Sequence, residues 1–458
     1  LQPLANCHRA AGARVTLSAE FGQSSTFRRS GRSCGATKNR CSRRPPAGEP
    51  GVLSDTGRLA PSRRRLLMAA CAASARGLAT HKKPQQVVIA GGGVIGCATA
   101  YFLAKEHGIG PTIVDRKSIA AAASGNAGGF LARDWNDGSP TQEMTHRSFD
   151  LHATLAEDLK KYGATDYRRL TCVAVGVDGR TAVQKPGGKK LENVDWADSA
   201  GVMGMRPMGD ESTIAQVHPR KLCDAFVAAA KDLAGASVVE GCASGLREED
   251  GRVTGLELSD GTCIEADAVV LCMGPWSHAL GRPKTEKLGL RGDSDYSGWG
   301  LQNCPLVVGT KYHAVLLQAP RVLSQSVFFQ GLGDPEVYPR PDGEVYVTGS
   351  PDPADIVRDL PGETEVRDEV CDQLVAKMNV LSSELKDAPI NHKQACHLPS
   401  AVDGVPVVGE LRSGAYVGYG HGCWGILLAP ATGEALANQI ATGESPFLDL
   451  GRFDPRRF

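Results

Sequence analysis

A chain of 458 residues in which 41% are apolar and 22% are charged has the composition of a folded globular protein. The formal net charge is zero, but residues 1–83 hold 16 basic and three acidic residues, which leaves 35 basic and 48 acidic residues in the remainder. A net-acidic body argues against nucleic acid as the main partner, because phosphate binding needs a net-basic face. No apolar run reaches the ~18 residues that span a bilayer, and the cysteines show no metal-ligand spacing, so neither an integral membrane segment nor a metal site is expected.

Residues 1–83 have the composition of a targeting leader, rich in Arg, Ser, Ala and Gly and poor in acids. We expect this leader to be largely disordered and to direct the chain to an organelle, with the plastid (chloroplast) preferred and the mitochondrion second. Within it, residues 62–67 read Ser-Arg-Arg-Arg-Leu-Leu and precede a short apolar run at 68–75, a pattern that resembles a twin-arginine signal. The alternative is an Arg-rich transit peptide in which this spacing arises by chance.

After the leader, hydrophobic periodicity predicts strands that alternate with helices. A buried strand at 86–90, a helix at 94–107 and a strand at 111–115 form a βαβ unit. A close-packed loop with a short helix is expected at 119–133, followed by an amphipathic helix around 149–159. The elements predicted further along are a helix at 221–233, strands at 237–240 and 268–273, β segments at 314–317 and 345–348, a helix near 364–379, a strand from Tyr416 and a helix at 425–441.

The turn of the βαβ unit matches G-x-G-x-x-G, because residues 91–96 read Gly-Gly-Gly-Val-Ile-Gly. Gly91 permits the tight turn, Gly93 lets the backbone approach a pyrophosphate, and Gly96 lets the helix pack on the strand. Asp115 follows Gly96 by nineteen residues, where such units place an acid against a ribose hydroxyl. The helix N-terminus would face the phosphates with its N–H groups and positive dipole. The sequence therefore predicts dinucleotide binding; the alternative is a tight βα turn with no ligand.

Two further runs of small residues favour a flavin over a nicotinamide. Residues 124–129 read Ser-Gly-Asn-Ala-Gly-Gly, and residues 418–425 read Gly-Tyr-Gly-His-Gly-Cys-Trp-Gly. Backbone of this kind can lie against a flat ring. A helix that begins at Gly425 would direct its positive end toward a flavin ring that gains negative charge on reduction. The alternative for each run is a surface loop built from turn residues.

Five segments in the expected order resemble the D-amino-acid-oxidase superfamily of FAD enzymes, which includes glycine and sarcosine oxidases. The resemblance covers roughly residues 86–450, and residues 338–349 look like the family's middle sheet. The segments are the glycine fingerprint with Asp115, residues 124–129, residues 266–277, residues 395–409, and residues 420–433 with Leu-Ala-Pro-Ala-Thr-Gly at their end.

The expected fold class is α/β, with an FAD-binding Rossmann-like domain and an interleaved substrate domain. The substrate domain is expected to be a mainly antiparallel β-sheet with flanking helices. The predicted boundaries are 84–165, 219–283 and 395–458 for the FAD-binding domain, and 166–218 and 284–394 for the substrate domain.

The resemblance also assigns residues to the parts of FAD. It implies that the pyrophosphate contacts Gly91, Gly93, Val94, Ile95 and Gly96, that the adenosine ribose contacts Asp115 and Arg116, and that the adenine contacts Ala243. The rest of the ADP half is expected to contact Gly274, Pro275 and Trp276. The ribityl chain and the ring are expected to contact Ser124, Gly125, Asn126, Ala127 and Gly128, and the pyrimidine edge of the ring Gly422, Cys423, Trp424, Gly425 and Ile426.

One position departs from the family's pattern. Members that act on amino acids often carry an arginine before the proline of the segment at 395–409, where it clamps the substrate carboxylate. Here Leu398 precedes Pro399, so the usual carboxylate anchor is missing.

Three polar residues are weaker candidates for a catalytic role. His421, beside the flavin loop, could donate a hydrogen bond to reduced flavin or orient the substrate. His313 begins a strand that could face the ring, and Arg340 could replace the missing anion clamp. The alternatives are a histidine that bonds loop carbonyls and an arginine in a surface turn.

We expect an FAD-dependent oxidase or dehydrogenase that oxidises a C–N bond of a small amine or amino-acid derivative by hydride transfer to flavin N5. One alternative is a flavoenzyme that oxidises a hydroxy acid or another C–H donor, which fits the leucine at position 398. The other is a non-catalytic FAD-containing assembly or trafficking factor. The expected partners are a small-molecule substrate and an electron acceptor, either oxygen or a carrier.

Overall fold

The computed structural model of the protein describes residues 81–458, and Lys82–Phe458 belongs to one compact unit. The predicted leader, with its targeting and twin-arginine patterns, lies outside the described residues up to position 80. Within 81–458, every helix is too short or too polar to cross a bilayer.

The described chain forms six α-helices and 21 β-strands. The α-helices are α1 (Val94–His107), α2 (Gln142–Asp158), α3 (Gly179–Gln184), α4 (Pro219–Ala234), α5 (Asp368–Leu381) and α6 (Gly425–Thr442). The strands are β1 (Val87–Ala90), β2 (Thr112–Asp115), β3 (Phe130–Ala132), β4 (Arg168–Arg169), β5 (Thr171–Val177), β6 (Lys190–Leu191), β7 (Val194–Asp198), β8 (Val202–Gly209), β9 (Ile214–Gln216), β10 (Ser237–Glu240), β11 (Ala243–Glu249), β12 (Arg252–Leu258), β13 (Cys263–Glu265), β14 (Ala268–Leu271), β15 (Val307–Gln318), β16 (Gln325–Gln330), β17 (Glu336–Pro339), β18 (Glu344–Gly349), β19 (Ile390–Ala401), β20 (Val407–Arg412) and β21 (Ala415–Tyr419).

A six-stranded sheet carries the βαβ unit. Its strand order is β10-β2-β1-β14-β21-β20, and all neighbours are parallel except β20 and β21. The central strand β1 reads Val-Val-Ile-Ala and is buried along its whole length, as a parallel strand covered on both faces must be. The carboxyl ends of β1, β2, β14 and β21 therefore meet at one edge of the sheet.

Helix α1 packs against both α4 and α6. Gly433 makes the close approach of α6 possible, because a Cβ built at this position would lie 2.7 Å from the Cβ of Ala98. Helix α1 ends at His107 and is capped by Gly108, whose φ of 63° lies in the left-handed region that favours glycine.

A seven-stranded sheet has the order β19-β15-β18-β17-β16-β5-β8, and all of its neighbours are antiparallel except β16 and β5. Side chains alternate between its two faces. One face packs on α5, with Val315 and Val347 in the same apolar cluster as Leu374. The other face carries Tyr338 and Tyr346 in a separate aromatic cluster.

The predicted fold class is confirmed, and most element predictions agree with the structure to within a few residues. The strand β19 crosses the domain boundary expected between residues 394 and 395. The short helix expected within 119–133 is wrong: the segment forms turns and then β3. Ala120 and Gly129 adopt φ values of 54° and 81°, which a right-handed helix does not allow.

Candidate active site

A long cleft opens at the carboxyl edge of the six-stranded sheet. Its volume is about 1260 Å³ when the space open to solvent at its mouth is included. The predicted residues that line it are Gly91, Gly93, Val94, Ile95, Asp115, Arg116, Ser124, Ala127, Ala243, Gly274, Pro275, Trp276, Gly422, Cys423, Gly425 and Ile426. The structure thus brings segments from across the sequence to one elongated site.

Two glycines shape the turn between β1 and α1. Gly91 has a φ of 111°, and a Cβ there would lie 2.3 Å from the carbonyl oxygen of Cys272. A Cβ on Gly96 would lie 2.1 Å from the carbonyl oxygen of Gly91. Gly96 does not line the cleft; it lets α1 pack directly on the turn, as the fingerprint requires.

The N-terminus of α1 faces the cleft. A Cβ on Gly93 would meet only the Ser124 hydroxyl oxygen, at 3.2 Å, so this position has room toward the cleft. The Ser124 hydroxyl accepts a hydrogen bond of 2.9 Å from the backbone N–H of Val94. Backbone N–H groups and the helix dipole at this point suit a pyrophosphate.

Asp115 ends β2 at the next part of the cleft. Its carboxylate accepts hydrogen bonds from the backbone N–H groups of Gly92 at 2.8 Å and Lys117 at 3.0 Å. Burial raises the pKa of Asp115, and these backbone hydrogen bonds oppose the rise. A carboxylate held in this way matches a ribose-binding acid.

Beyond Asp115 the cleft is closed by polar contacts between loops. The Arg116 guanidinium donates to the Asp293 carboxylate at 2.9 Å, and the Tyr296 hydroxyl donates to the Ala243 carbonyl at 3.1 Å. These contacts fix the walls of the end that the resemblance assigns to adenosine.

The opposite end of the cleft is formed by the loop that joins β21 to α6. Gly420 has a φ of 82°, which turns the chain toward the start of α6 at Gly425. His421 lines the cleft and is buried, with its Nε2 3.1 Å from the Thr432 hydroxyl oxygen. Burial lowers the pKa of His421 to about 3, so its imidazole is neutral at physiological pH.

The first turn of α6 depends on a side chain from α2. Pro430 has no N–H, so the Ile426 carbonyl loses its regular helical donor. The Nε2 of His152 lies 3.0 Å from that oxygen and 3.3 Å from the Leu427 carbonyl oxygen. Burial lowers the pKa of His152 to about 4, so the neutral ring donates through Nε2.

The residues of the segment at 124–129 have different roles: some line the cleft and others shape a turn. Ser124 and Ala127 line the cleft, whereas Gly125 and Asn126 do not. A Cβ on Gly125 would lie 2.1 Å from the Ala120 carbonyl oxygen, so this glycine serves a tight turn.

Asn126 ties this segment to the seven-stranded sheet. Its carbonyl accepts hydrogen bonds from the Tyr346 hydroxyl at 3.0 Å and the Gln394 amide at 2.9 Å. Its own side-chain amide donates to the Ala395 carbonyl at 3.3 Å. The loop between cleft and sheet is therefore fixed to β18 and β19.

A second cavity, of about 780 Å³, lies between this loop and the aromatic face of the seven-stranded sheet. It shares part of its wall with the cleft, namely Ala127, Leu398, Cys423 and Ile426. Gly128 and Trp424 line this second cavity and not the cleft. Seven aromatic side chains surround it: Phe130, Trp135, Tyr312, Phe328, Tyr338, Tyr346 and Trp424.

Glu336 is the carboxylate in the wall of the second cavity, and no Lys, Arg or His of the described chain lines it. The Tyr338 hydroxyl donates a hydrogen bond to Glu336. Burial raises the pKa of Glu336 to about 6. The site thus consists of a long cleft suited to a dinucleotide and an aromatic cavity that adjoins one end of it.

A family model described as FAD dependent oxidoreductase matches residues 86–439. The chain belongs to this family. The glycine turn, the acid at Asp115 and the two helix N-termini fit FAD, which would be held by the residues that line the cleft. The predictions of an FAD cofactor and of an oxidase or dehydrogenase are confirmed.

Relatives of this FAD-dependent oxidoreductase align with it over most of their lengths. A Schizosaccharomyces pombe protein named only as an oxidoreductase is 28% identical over 400 residues, which cover 81% of this chain and 98% of that protein. A glycine oxidase of Pseudomonas putida is 28% identical over 81% of this chain and 98% of its own. The crystal structure of glycine oxidase from Geobacillus kaustophilus superposes with a TM-score of 0.64 at 23% identity, covering 82% of this chain and 99% of that one, and shows the same fold.

The structure does not bring two of the predicted catalytic candidates of the oxidoreductase to either cavity. His313 follows Tyr312 in β15, and it is fully buried on the sheet face opposite to the one that Tyr312 presents to the second cavity. Arg340 is buried rather than in a surface turn; it pairs with Glu344 at 3.0 Å and donates to the Ala127 carbonyl at 3.4 Å. It supports the wall of the cleft from behind.

Sequence reasoning missed the residues that define the second cavity. Glu336 and Tyr338 lie in β17, and of the two only Tyr338 falls within residues 338–349, which were expected to form a middle sheet. Their alternation, Glu-Val-Tyr, places both side chains on one face with the intervening valine on the other. The sequence shows this two-residue alternation, but it does not show which face of the strand points toward the cofactor.

Proposed function

We propose that the protein oxidises the C–N bond of a small amine by transfer of electrons to bound FAD. The observation that carries this proposal is the aromatic cavity beside the flavin end of the cleft, which contains a carboxylate and no basic side chain of the described chain. A neutral or cationic amine suits such walls, whereas a free carboxylate would enter without a basic partner.

FAD, when bound, supplies the acceptor for the two electrons and the hydrogen removed from the carbon next to nitrogen. The chain's own residues would orient that carbon and exclude water. Leu398 and Ile426 line both the cleft and the cavity, so they stand at the junction where the substrate meets the cofactor. Their apolar side chains would keep this junction dry and force the reacting carbon into one position.

The absence of a clamp at Leu398 also bears on the alternatives. A hydroxy acid carries a carboxylate, and the residues around the second cavity offer only Glu336 as a charged group. The geometry therefore favours an amine over a hydroxy acid. The third alternative, an FAD-containing assembly or trafficking factor, is separated from both by whether any substrate reduces the flavin.

The proposal is tested by anaerobic titration of the purified FAD-loaded protein with amines, N-methyl amino acids and hydroxy acids. Amines are expected to bleach the flavin absorbance, and the product is expected to be an aldehyde or a keto compound with release of an amine. Bleaching by hydroxy acids alone would assign the second activity. If nothing in the panel bleaches a correctly folded, fully loaded protein, the proposal is wrong.

Reoxidation then identifies the electron acceptor. A flavin reduced by the substrate and exposed to air is expected to recover its absorbance within seconds if oxygen is the acceptor, and slowly if the protein needs a carrier. The two predicted acceptors are distinguished by this single mixing experiment.

A further inference from the structure

Glu336 has no cationic partner among residues 81–458. Its hydrogen bond comes from Tyr338, which is neutral, and no Lys, Arg or His of the described chain forms an ion pair with it, unlike its neighbour Glu344, which pairs with Arg340. An unpaired charge in a confined apolar site is costly unless a partner arrives. The missing partner is a positive charge on the molecule that fills the cavity.

Aromatic rings surround the same place. The ring of Tyr338 stacks on that of Phe130 at 5.3 Å between centroids, and it meets the edge of Phe328 at 5.7 Å. The ring of Tyr346 also stacks on that of Tyr338, at 5.9 Å, and the ring of Trp135 lies 5.3 Å from that of Phe328. Tyr338 is covered by its stacked neighbours, and the Arg340 guanidinium lies 5.7 Å from the Tyr346 centroid. The rings with exposed surface toward the cavity are therefore the partly exposed ones in its wall, Phe130, Trp135, Tyr312 and Trp424. Such rings attract an ammonium or alkylammonium group by their negative quadrupole, and with Glu336 they form a cage for such a cation.

The cage is remote from the junction with the cleft. Leu398 at the junction belongs to β19, whereas Glu336 belongs to β17, and the strands β19, β15, β18 and β17 are consecutive neighbours. Three interstrand spacings amount to roughly 14 Å. A cation held at Glu336 is therefore a different group from the carbon and nitrogen that react beside Leu398.

We propose that the second cavity binds the distal cationic nitrogen of the substrate, so that the substrate class is diamines and polyamines and not α-amino acids. This inference rests on the proposed C–N oxidation and names its substrate. The near nitrogen lies at the junction, the aliphatic chain crosses the apolar cavity, and the distal ammonium lies against Glu336 and the rings.

The reaction balances with the bound FAD as the oxidant. The C–H bond next to the near nitrogen breaks, its hydrogen and electron pair pass to FAD, the nitrogen releases one proton to water, and a C=N bond forms. Water then adds to the imine and gives an aldehyde, and the near nitrogen leaves as ammonia from a primary amine or as an amine from a secondary one. The distal ammonium keeps its charge throughout and serves only to position the chain.

The first experiment measures binding without turnover. Tetramethylammonium has no N–H and serves as the cation probe, and tert-butyl alcohol serves as an uncharged probe of similar size. Binding is read from the tryptophan fluorescence, because Trp135 and Trp424 line the cavity, and from the melting temperature of the FAD-loaded protein. Tetramethylammonium is expected to bind and tert-butyl alcohol is not. Glu336→Gln is expected to weaken the binding of the cation on the order of tenfold to a hundredfold.

The second experiment compares two substrates of equal length, diaminooctane and nonylamine. Glu336→Gln is expected to lower kcat/KM for diaminooctane by a similar factor and to lower it much less for nonylamine, which has no distal cation. Phe328→Leu removes a ring without removing charge and is expected to show the same selectivity in a milder form. Glu157→Gln, an exposed acid on α2, is the matched control and is expected to change neither substrate; FAD content and melting temperature report folding of each variant.

The outcomes separate this inference from the function on which it rests. If tetramethylammonium does not bind, or if Glu336→Gln affects the diamine and the monoamine equally, the cation site is wrong while C–N oxidation stands. If tetramethylammonium binds and loses affinity in Glu336→Gln but no amine reduces the flavin, the cation site stands and C–N oxidation is wrong.

The pH dependence of cation binding gives an independent readout. The titratable groups that interact electrostatically with Glu336 are Tyr338, Tyr346, Cys172 and Asp334. Burial raises the pKa of both tyrosines and of the cysteine, so all three stay neutral between pH 5 and pH 8. Affinity for tetramethylammonium is expected to rise as Glu336 ionises near pH 6 and to be flat over this range in Glu336→Gln.

Discussion

The contact between His152 and the start of α6 yields a prediction that can be tested quantitatively. In His152→Phe the ring remains but the donor is lost, so the Ile426 carbonyl, which has no backbone donor because of Pro430, stays unsatisfied in a buried place. Leaving one buried acceptor unpaired costs about 1–3 kcal/mol. We expect His152→Phe to lower the free energy of unfolding by that amount and to weaken retention of FAD, because α6 begins at the flavin end of the cleft.

A double-mutant cycle with Pro430→Ala isolates this cause. Alanine at this position restores an N–H that can bond to the Ile426 carbonyl, so the loss of His152 should then cost less. The coupling between the two substitutions is expected to be about 1 kcal/mol or more, within the range seen for residues that share a partner. Urea unfolding of the FAD-loaded protein, followed by tryptophan fluorescence at fixed FAD concentration, measures all four proteins.

The control uses another buried histidine with the same chemistry. His278 lies with its Nε2 3.1 Å from the Val357 carbonyl oxygen. Neither residue belongs to α6. His278→Phe is expected to be destabilising and additive with Pro430→Ala. If His152→Phe is equally additive, its effect comes from packing and not from the carbonyl that Pro430 leaves free.

Three further predictions concern the cleft and its junction. Gly93→Ala adds a methyl group that meets only the Ser124 hydroxyl oxygen, at 3.2 Å, so the protein is expected to fold. Its affinity for FAD, measured by flavin fluorescence titration, is expected to be weaker by about 1–3 kcal/mol. Wild-type affinity would mean that the phosphate does not approach this backbone. Leu398→Arg supplies a carboxylate clamp at the junction and is expected to give flavin reduction by N-methylglycine, measured anaerobically; no gain would show that the anchor requires another position. The folded-state pKa of His421 is lowered to about 3, below the unfolded value near 6.5. Because the unfolded state then binds a proton that the folded state does not, stability is lost as the pH falls from about 6.5 toward 3, and the loss at pH 5 is about 2 kcal/mol. Urea unfolding of His421→Asn should show a correspondingly shallower dependence on pH between 7 and 5.

The sequence predicts those parts of the fold that are specified by neighbouring residues. The run Val-Val-Ile-Ala of β1 has to be buried, and the glycines that follow leave few conformations other than a turn into a helix, so α1 was predicted at its observed bounds, Val94–His107. The same holds for α6, whose predicted start at Gly425 agrees with the structure.

Features that depend on register or on distant partners could not be predicted from the sequence. His313 and Tyr312 are adjacent in β15, and only the pairing of β15 with β18 and β19 decides which of the two faces the cofactor. The role of Glu336 likewise depends on β17 lying next to β18 and opposite the loop at 124–129. The positive φ of Ala120, which ends any helix there, arises from close packing that local propensity does not contain.

The hydrogen bonds that Asn126 makes to β18 and β19 restrict the motion of the two sheets relative to each other. Because Asn126 joins the loop between the two cavities to strands β18 and β19, the six-stranded and seven-stranded sheets cannot separate at this place without breaking these hydrogen bonds. We therefore expect substrate entry to depend on rotation of side chains in the wall of the second cavity, among them Trp135 and Trp424, whose rings meet edge to face at 6.3 Å.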